Sequence, residues 1–318
     1  MEAETKNGAG ISTGSIPGRK RVDVIIRTLC EADRRDALLR ALQTIGDQRG
    51  VSTRAIVVVN GSRFDITLRD EIAARSDVCL VQLEQASLIA AGLSGWDHVD
   101  APYFTFLDDD DELIPDSLAS PAGWLDAHPR CDVAVCNIYH ERAGRRVLAS
   151  PDMDVHHANP LLTLMSGCWL HPGAALFRSA AIERSLFDFQ RPFMEWTTLA
   201  FRLVAQEKRL HFMQQPTVVY NDTQGSLSKG PEHQEHALLA LAEIMAHPAC
   251  DAQTYRRARY KYANTLHVLA MAYWQQGEYR KAWSRHLRSL RNGGLRRYAL
   301  FTRKLVRPAR SGPANSSG

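Results

Sequence analysis

The sequence predicts an α/β protein in which a mostly parallel sheet is flanked by helices and followed by a C-terminal helical region. Over the first two thirds of the chain, short apolar runs rich in β-branched residues alternate with stretches of helical periodicity. This alternation favours parallel strands joined by helical crossovers. From Pro231 onward the pattern is only helical, so the sheet is expected to end before that residue.

The first part of the chain contains four apolar runs that predict buried strands, each bounded by polar residues. A helical pattern with Leu38, Leu39, Leu42 and Ile45 on one face follows the first run. The four strands are expected at residues 22–26, 55–59, 78–81 and 102–107, with a second helix over 86–99. Later strands are expected at 132–139, 174–177, 210–213 and 217–220, and helices from Ser179 and over 195–206.

Four consecutive aspartates, Asp108 to Asp111, and then Glu112 follow the fourth predicted strand. Five neighbouring carboxylates repel one another at neutral pH, and a hard divalent cation such as Mg²⁺ or Mn²⁺ would neutralise them. An acidic loop or a helix N-terminus would also favour acidic residues. If the strand alternation continues, Asp108 and Asp110 face a ligand, while Asp109 and Asp111 point away.

Polar residues also follow the first two predicted strands, at Thr28 and at Asn60–Gly61–Ser62. In open parallel sheets ligands bind at the carboxyl ends of strands. Three polar clusters at three strand ends therefore predict one binding site at that edge of the sheet, although loops are commonly polar without any ligand.

The composition is that of a globular protein: 318 residues, 45% of them hydrophobic. The sequence shows neither an apolar run long enough to span a membrane nor an N-terminal signal segment, so a cytoplasmic location is expected. Six scattered cysteines without metal-binding spacing predict free thiols.

The C-terminal region is strongly basic. Between Arg256 and Arg310 there are fifteen Lys or Arg residues and one acidic residue, Glu278. Because Leu, Tyr and Phe are interleaved with the basic residues, the segment suits an anionic membrane surface, and peripheral attachment is a hypothesis. A solvated basic face is the alternative; no nucleic-acid motif is present, so nucleic acid is not an expected partner.

The expected organisation has four parts, with a domain boundary at about residue 230. A disordered tail at 1–20 precedes the α/β domain at 21–230, and the helical region at 231–310 precedes a second disordered tail at 311–318.

Residues 21–228 resemble family 2 glycosyltransferases with the GT-A fold. The resemblance is carried by residues 22–28, 56–62 and 106–111, by Met194–Glu195–Trp196 leading into Phe201–Arg202–Leu203, and by Gly225–Ser226–Leu227–Ser228. Members of this family generally transfer a sugar from a nucleotide-sugar to an acceptor hydroxyl with inversion.

The resemblance implies a role for particular residues. The implied partners are a nucleotide-sugar donor and a glycan or lipid-linked acceptor in cell-surface glycan or polysaccharide synthesis, and the implied cofactor is Mg²⁺ or Mn²⁺. The implied residues are Arg27, Thr28, Asn60, Asp108 and Asp109 for the donor, Asp108 and Asp110 for the metal, Glu195 as general base, and His171 and Trp196 on the acceptor side.

The chain departs from the family pattern at several positions. Asn60 stands where Asp is common, the segment from Gln85 to Trp96 lacks an Asn-x-Gly, and Thr223 stands where some members have His. The usual Glu-Asp pair is replaced by Glu195–Trp196, which leaves open whether Glu195 aligns with the Glu or the Asp. A catalytically inactive scaffold that binds a nucleotide-sugar or a protein partner is therefore the alternative. A nucleotidyltransferase is less favoured because no Gly-rich phosphate loop follows the first strand.

Overall fold

A computed structural model describes residues 20–142, 144–189, 193–221 and 231–306. The chain divides into two compact units, each made of more than one segment. The sheet unit comprises Met1–Ala158, Trp169–Asp188 and Glu207–Thr223, and the helical unit comprises Asn159–Cys168, Phe189–Gln206 and Gln224–Gly318.

The first half of the sheet is parallel. Its strand order is β3-β2-β1-β4, with every neighbouring pair parallel. The register aligns Arg27 of β1 with Asp108 of β4, so both strands reach the same edge of the sheet. The strands are β1 (Lys20–Thr28), β2 (Val51–Asn60), β3 (Val78–Leu83) and β4 (Tyr103–Asp108).

The second half of the sheet is mixed. The order continues β8-β6-β9-β5, and β7 pairs with β6. The β6–β9 pair is parallel and the other pairs in this half are antiparallel. The strands are β5 (Glu112–Leu113), β6 (Val133–Arg142), β7 (Arg145–Leu148), β8 (Ala175–Arg178) and β9 (Leu210–Asn221).

Helices of the sheet unit bury one face against the strands. The first helix places Leu38, Leu42 and Ile45 in the core, and burial of each such side chain contributes about 1.5–3 kcal/mol. Close approach of the third helix requires Gly95, where a Cβ atom would overlap Ile25 of β1. The helices are α1 (Arg35–Gly46), α2 (Ile66–Ala73), α3 (Leu88–Asp97), α4 (Ala119–Ala127) and α5 (Val155–Ala158).

The described part of the helical unit contains helices and no strand. Ala270, Ala282, Phe301 and Leu305 form a small apolar core. The helices are α6 (Pro160–Leu164), α7 (Glu195–Ala205), α8 (Pro231–Ala246), α9 (Ala252–Gln275), α10 (Tyr279–Ser289), α11 (Leu295–Tyr298) and α12 (Thr302–Val306).

The predicted α/β class with a C-terminal helical extension is confirmed, and three local predictions are corrected. The two strands expected at 210–213 and 217–220 are one strand, β9, which continues through Pro216. The helix expected from Ser179 is replaced by two short 3₁₀ segments, Ser179–Ala181 and Arg184–Phe187. Because the sequence offers His156 and His157 no partner at metal-ligand spacing, a solvated loop is expected for them, but His156 is buried against the rings of Trp169 and Phe212.

The boundary predicted near residue 230 adjoins residues 222–230, which lie outside the described ranges and so leave it a prediction. Among the described residues, no helix has the length and apolar character that crossing a membrane requires.

Candidate functional site

The site begins where β1 and β4 end side by side. The Thr28 hydroxyl donates a 2.6 Å hydrogen bond to Asp109 Oδ2 and accepts one of 2.9 Å from the backbone N–H of Cys30. Because threonine hydroxyls readily close such turns, the same side chain shapes the exit from β1 and fixes Asp109. The structure thus brings two of the residues predicted to bind the donor into direct contact.

Arg34 joins two of the four aspartates. It lies at the end of a 3₁₀ turn, Ala32–Arg34, after β1. Its Nη2 atom donates to Asp109 Oδ1 and lies 3.2 Å from Asp110 Oδ2. Burial disfavours the charged guanidinium, but the carboxylates of Asp109 and Asp110 outweigh this and raise the pKa of Arg34. Arg34 therefore stays charged and serves as counter-ion for both aspartates.

Asp108 is held from two sides. Arg27 Nη2 lies 3.6 Å from Asp108 Oδ1, and the Tyr220 hydroxyl donates a 3.3 Å hydrogen bond to Oδ2. Desolvation raises the pKa of Asp108, while the Arg27 charge lowers it and Asp110 raises it further. Burial and the Asp108 charge raise the pKa of Tyr220, so its hydroxyl keeps the proton that it donates.

Asp111 is the most buried of the four aspartates, with 1% of its surface exposed. Its Oδ1 atom accepts a 2.9 Å hydrogen bond from the Asn221 backbone, whereas Oδ2 has no hydrogen-bond partner among the described residues. Burial, and after it the charge of Asp108, raise the pKa of Asp111 to about 9. The structure therefore favours a protonated Asp111 at neutral pH.

The four aspartates differ in access to solvent. Asp108 and Asp110 are partly exposed, whereas Asp109 and Asp111 are buried. The described residues contain no ready-made group of three His, Cys, Asp or Glu side chains able to hold a metal. A magnesium ion, however, commonly uses only one or two carboxylates and completes its shell with water and substrate phosphate. Asp108 and Asp110, the two partly exposed carboxylates, fit that kind of site.

Asn60 has a structural contact at the end of β2. Its side-chain oxygen accepts a 2.7 Å hydrogen bond from the backbone N–H of Ser87, and the Ser87 hydroxyl in turn caps α3 at Ala90. Gly61 follows with φ = 107°, and a Cβ there would lie 3.0 Å from the Cβ of Ala86. Asn60 thus ties the exit of β2 to the start of α3, and its contact with a nucleotide remains a prediction.

His171 lies beside the aspartate site. Its ring is 5.9 Å from that of Tyr220, centroid to centroid, and His140 makes a similar contact. Because Tyr220 donates to Asp108, His171 is one side chain removed from an aspartate. Its place on the acceptor side stays a prediction.

Glu195 and Trp196 lie in the helical unit, at the start of α7. Phe193 and Met194, with φ of 64° and 60°, turn the chain sharply just before the helix. Glu195 is 9% exposed, and its Oε1 atom has no hydrogen-bond partner in the described ranges. Burial lowers the pKa of His233 on α8, while the negative charge of Glu195 raises it.

A pocket in the helical unit adjoins the start of α7. The Arg202 guanidinium lies 5.2 Å from the Phe189 ring centroid within it. The pocket is lined by aromatic, apolar and charged side chains: Phe189, Phe193, Met194, Thr198, Arg202, His236, Ala240 and Glu243.

The sequence-based interpretation missed Arg34, Tyr220 and Asn221. Arg34 follows β1 in a segment with several charged residues, and nothing in the pattern distinguishes it. The Asn221 side chain donates a 2.7 Å hydrogen bond to the Asp110 backbone carbonyl across 111 residues of sequence. The predicted Gly225–Ser228 motif and Thr223 lie outside the described residues.

Solved structures of S. aureus TarS are similar to this chain in fold. TarS 1–349 in complex with UDP-GlcNAc has a TM-score of 0.60 and 15% identity, covering 87% of this chain and 91% of that one. TarS 1–349 in complex with UDP has a TM-score of 0.57 and 14% identity, covering 90% of this chain and 87% of that one. A longer TarS structure has a TM-score of 0.54 and 15% identity, covering 85% of this chain and 54% of that one.

A comparison with curated proteins gives no match. The family model described as glycosyl transferase family 2 matches residues 23–186, which is more than half of the chain and includes the ends of β1 and β4. The chain therefore belongs to glycosyl transferase family 2 and is a glycosyltransferase.

Proposed function

We propose that this glycosyltransferase moves a sugar from a nucleotide-diphosphate sugar to an acceptor hydroxyl, with inversion. The observation that carries the proposal is the convergence of Thr28, Arg34, Asp108 and Asp110 at the carboxyl ends of β1 and β4. Ligands of open α/β sheets bind at that edge. The UDP-GlcNAc and UDP complexes of TarS, a protein of similar fold, support a nucleotide-sugar as donor.

In this proposal the donor is held by residues at three strand ends. Arg27, Thr28 and Asn60 contact the nucleoside, and the buried Asp109 keeps the β1 exit and Arg34 in place. Arg34 presents a guanidinium beside Asp110, and guanidinium groups bind phosphate oxygens with well-defined geometry. Arg34 is therefore a candidate diphosphate contact in addition to the residues predicted from the sequence.

Asp108 and Asp110 would hold Mg²⁺ or Mn²⁺. When bound, such an ion neutralises the charge that develops on the nucleotide diphosphate as it leaves. Without it, the aspartates are balanced by Arg27 and Arg34. Because Arg34 lies against one Asp110 oxygen, it must share that carboxylate with the ion or turn away from it.

Glu195 is the proposed general base. Inversion requires that the acceptor hydroxyl lose its proton as its oxygen attacks the anomeric carbon and the bond to the diphosphate breaks. Glu195 offers a buried carboxylate oxygen without a partner in the described part of the chain. We assign it the position of the family's catalytic acidic residue, with Trp196 and His171 on the acceptor side.

A glycan or lipid-linked glycan is the proposed acceptor, in the synthesis of a cell-surface glycan or polysaccharide. The pocket beside α7 supports a ring-shaped acceptor because Phe189 and Phe193 offer aromatic faces and Arg202, His236 and Glu243 offer polar groups.

The donor is tested by thermal unfolding with UDP, GDP and dTDP, each with and without Mn²⁺. Stabilisation follows ligand linkage and amounts to about 2.7 kcal/mol at a hundredfold excess over Kd. One nucleotide should raise Tm with Mn²⁺ and much less in EDTA. Equal shifts with and without metal would contradict the metal site while leaving nucleotide binding intact.

Catalysis is tested by release of nucleotide diphosphate from UDP-, GDP- and dTDP-sugars, comparing the natural protein with Glu195→Gln. Loss of turnover with unchanged nucleotide binding supports Glu195 as base. The replaced Glu-Asp pair keeps an inactive scaffold as the competing interpretation. The scaffold would be favoured if the protein binds a nucleotide but turns over no donor, and if Glu195→Gln leaves nucleotide binding unchanged.

A further inference from the structure

The end of the helical unit carries basic residues that lack acidic partners. From Tyr279 to Val306 the sequence contains no Asp or Glu. Lys281 pairs with Glu278, and Arg285 pairs with Glu235. In the described ranges, seven further basic residues of this segment form no ion pair: Arg280, Arg288, Arg291, Arg296, Arg297, Arg303 and Lys304.

The helical run from Leu295 to Val306 is apolar on two sides. Tyr298, Phe301 and Leu305 are buried on its inner side. Its outer side exposes Leu295, Leu300 and Val306, which are 61%, 71% and 66% exposed. The inner residues already satisfy packing within the unit, so packing does not explain the outer ones.

The exposed apolar residues alternate with the unpaired basic ones. Residues three or four apart share a helix face, so Leu300 lies between Arg296 and Arg303. We name the set Arg291, Leu295, Arg296, Leu300, Arg303 and Val306 the basic helical surface; all six are exposed. Cationic and apolar side chains on one face are characteristic of helices that lie in a membrane interface.

Helix α9 extends this surface. The Arg297 guanidinium lies 5.4 Å from the ring centroid of Tyr260, which is 48% exposed. Arg259 donates a 3.4 Å hydrogen bond to the backbone carbonyl of Arg291. Tyrosine has an apolar ring and a polar hydroxyl, a combination suited to the boundary between headgroups and acyl chains.

We propose that the basic helical surface binds an anionic lipid membrane. The positive charge attracts acidic headgroups. Once the arginines have bound these headgroups, Leu295, Leu300 and Val306 enter the membrane interface. The phosphates of a nucleic acid would also bind the arginines, but such a partner would not explain the exposed apolar side chains. The proposal concerns attachment of the protein and does not depend on the donor, the metal or the base.

Vesicle co-sedimentation of the full chain tests the proposal. We expect binding to phosphatidylcholine vesicles that contain phosphatidylglycerol, little binding to phosphatidylcholine alone, and release at 1 M salt, where the screening length is about 3 Å. Arg296→Gln with Arg303→Gln should weaken binding at least about tenfold. Leu300→Ala keeps the charge and should weaken it about fivefold or more.

The matched control is Arg130→Gln with Arg145→Gln, which removes two charges from exposed positions in the sheet unit. It should bind vesicles as the natural protein does, and all variants should keep their Tm. Three results would overturn the proposal: equal binding to neutral vesicles, no binding to anionic ones, or equal loss in the control. Displacement from vesicles by RNA, together with an unaffected Leu300→Ala, would indicate nucleic acid instead.

Discussion

Two regions of the chain each concentrate charge of one sign, and they differ in how far the charged side chains are buried and paired. Of 39 Lys or Arg and 35 acidic residues, fifteen basic and one acidic residue lie between Arg256 and Arg310, leaving 24 basic against 34 acidic residues elsewhere. At the end of β4, adjacent aspartates are partly or fully buried and bound to named partners. On the basic helical surface, the arginines are exposed and without ion pairs among the described residues.

The difference indicates the kind of ligand that each region suits. Buried charges held by fixed partners interact strongly and in one geometry, which suits a small ligand with a defined shape. Exposed charges are screened by water and salt and contribute little to folding, but together they attract an extended surface of opposite charge.

The largest effect is expected for Asp110→Asn. The amide keeps the shape of the carboxylate but loses the charge that would bind the cation, so metal-dependent turnover should fall about 10²–10³-fold. Asp109→Asn should lose much less, because Asp109 is buried against Thr28 and Arg34. Donor hydrolysis and calorimetric Mn²⁺ binding measure both variants.

Asp70→Asn, an exposed change on α2, is the control for these variants and should behave as the natural protein does. Equal losses at Asp109 and Asp110 would show that the four aspartates act as an undivided cluster and would remove the distinction between them.

A pH-dependent effect is expected from Asp111. Its folded pKa of about 9 lies above its ordinary value, so the folded state retains a proton that the unfolded chain releases at lower pH. This contribution to stability is complete below about pH 4 and is lost as pH rises toward 9, with a slope of up to about 1.4 kcal/mol per pH unit.

Urea unfolding in EDTA from pH 5 to 8 measures this contribution. Asp111→Asn removes the titrating carboxyl group, so the stability of this variant relative to the natural protein should improve steadily as pH rises. Parallel curves for the two proteins would mean that Asp111 titrates as an ordinary surface aspartate.

An intermediate effect is expected for Arg34→Ala. Removal of the shared counter-ion leaves Asp109 and Asp110 in mutual repulsion, and since Arg34 is partly exposed the cost should be about 1–2 kcal/mol of unfolding free energy. Mn²⁺ should restore more stability to this variant than it adds to the natural protein. An unchanged Tm would show that Arg34 is not the counter-ion.

The smallest effect is expected for Arg296→Gln with Arg303→Gln. Both residues are exposed and unpaired among the described residues, so the unfolding free energy should change by less than about 0.5 kcal/mol. Urea unfolding without lipid measures it. A loss comparable to that of Arg34→Ala would mean that these arginines have structural partners and would remove the contrast between the two regions.

Much of the sheet unit could be predicted because its signals are local. Apolar runs such as 55–59 show where a strand is buried, and alternation with helical patterns predicts parallel order. The same reasoning divided β9 in two, because Gln214, Gln215 and Pro216 interrupt the apolar pattern although the strand continues. Its pairing with β6 has register shifts at this point, which no local pattern reveals.

By itself, the sequence determined which charges this protein concentrates: the aspartate run after a buried strand, its place at the carboxyl end of a parallel sheet, and the basic composition of the C-terminal helices. These follow from periodicity and composition, which are properties of neighbouring residues.

Only the tertiary structure decided how each charge is balanced. It brought Arg34 to Asp109 and Asp110, Tyr220 to Asp108 and Asn221 to Asp111, across 75 to 112 residues of sequence. It also left Arg296 and Arg303 exposed. These pairings depend on where loops and rotamers place side chains that are far apart in sequence and share no periodic pattern. They make the aspartates a buried charge cluster, whereas the arginines remain solvated.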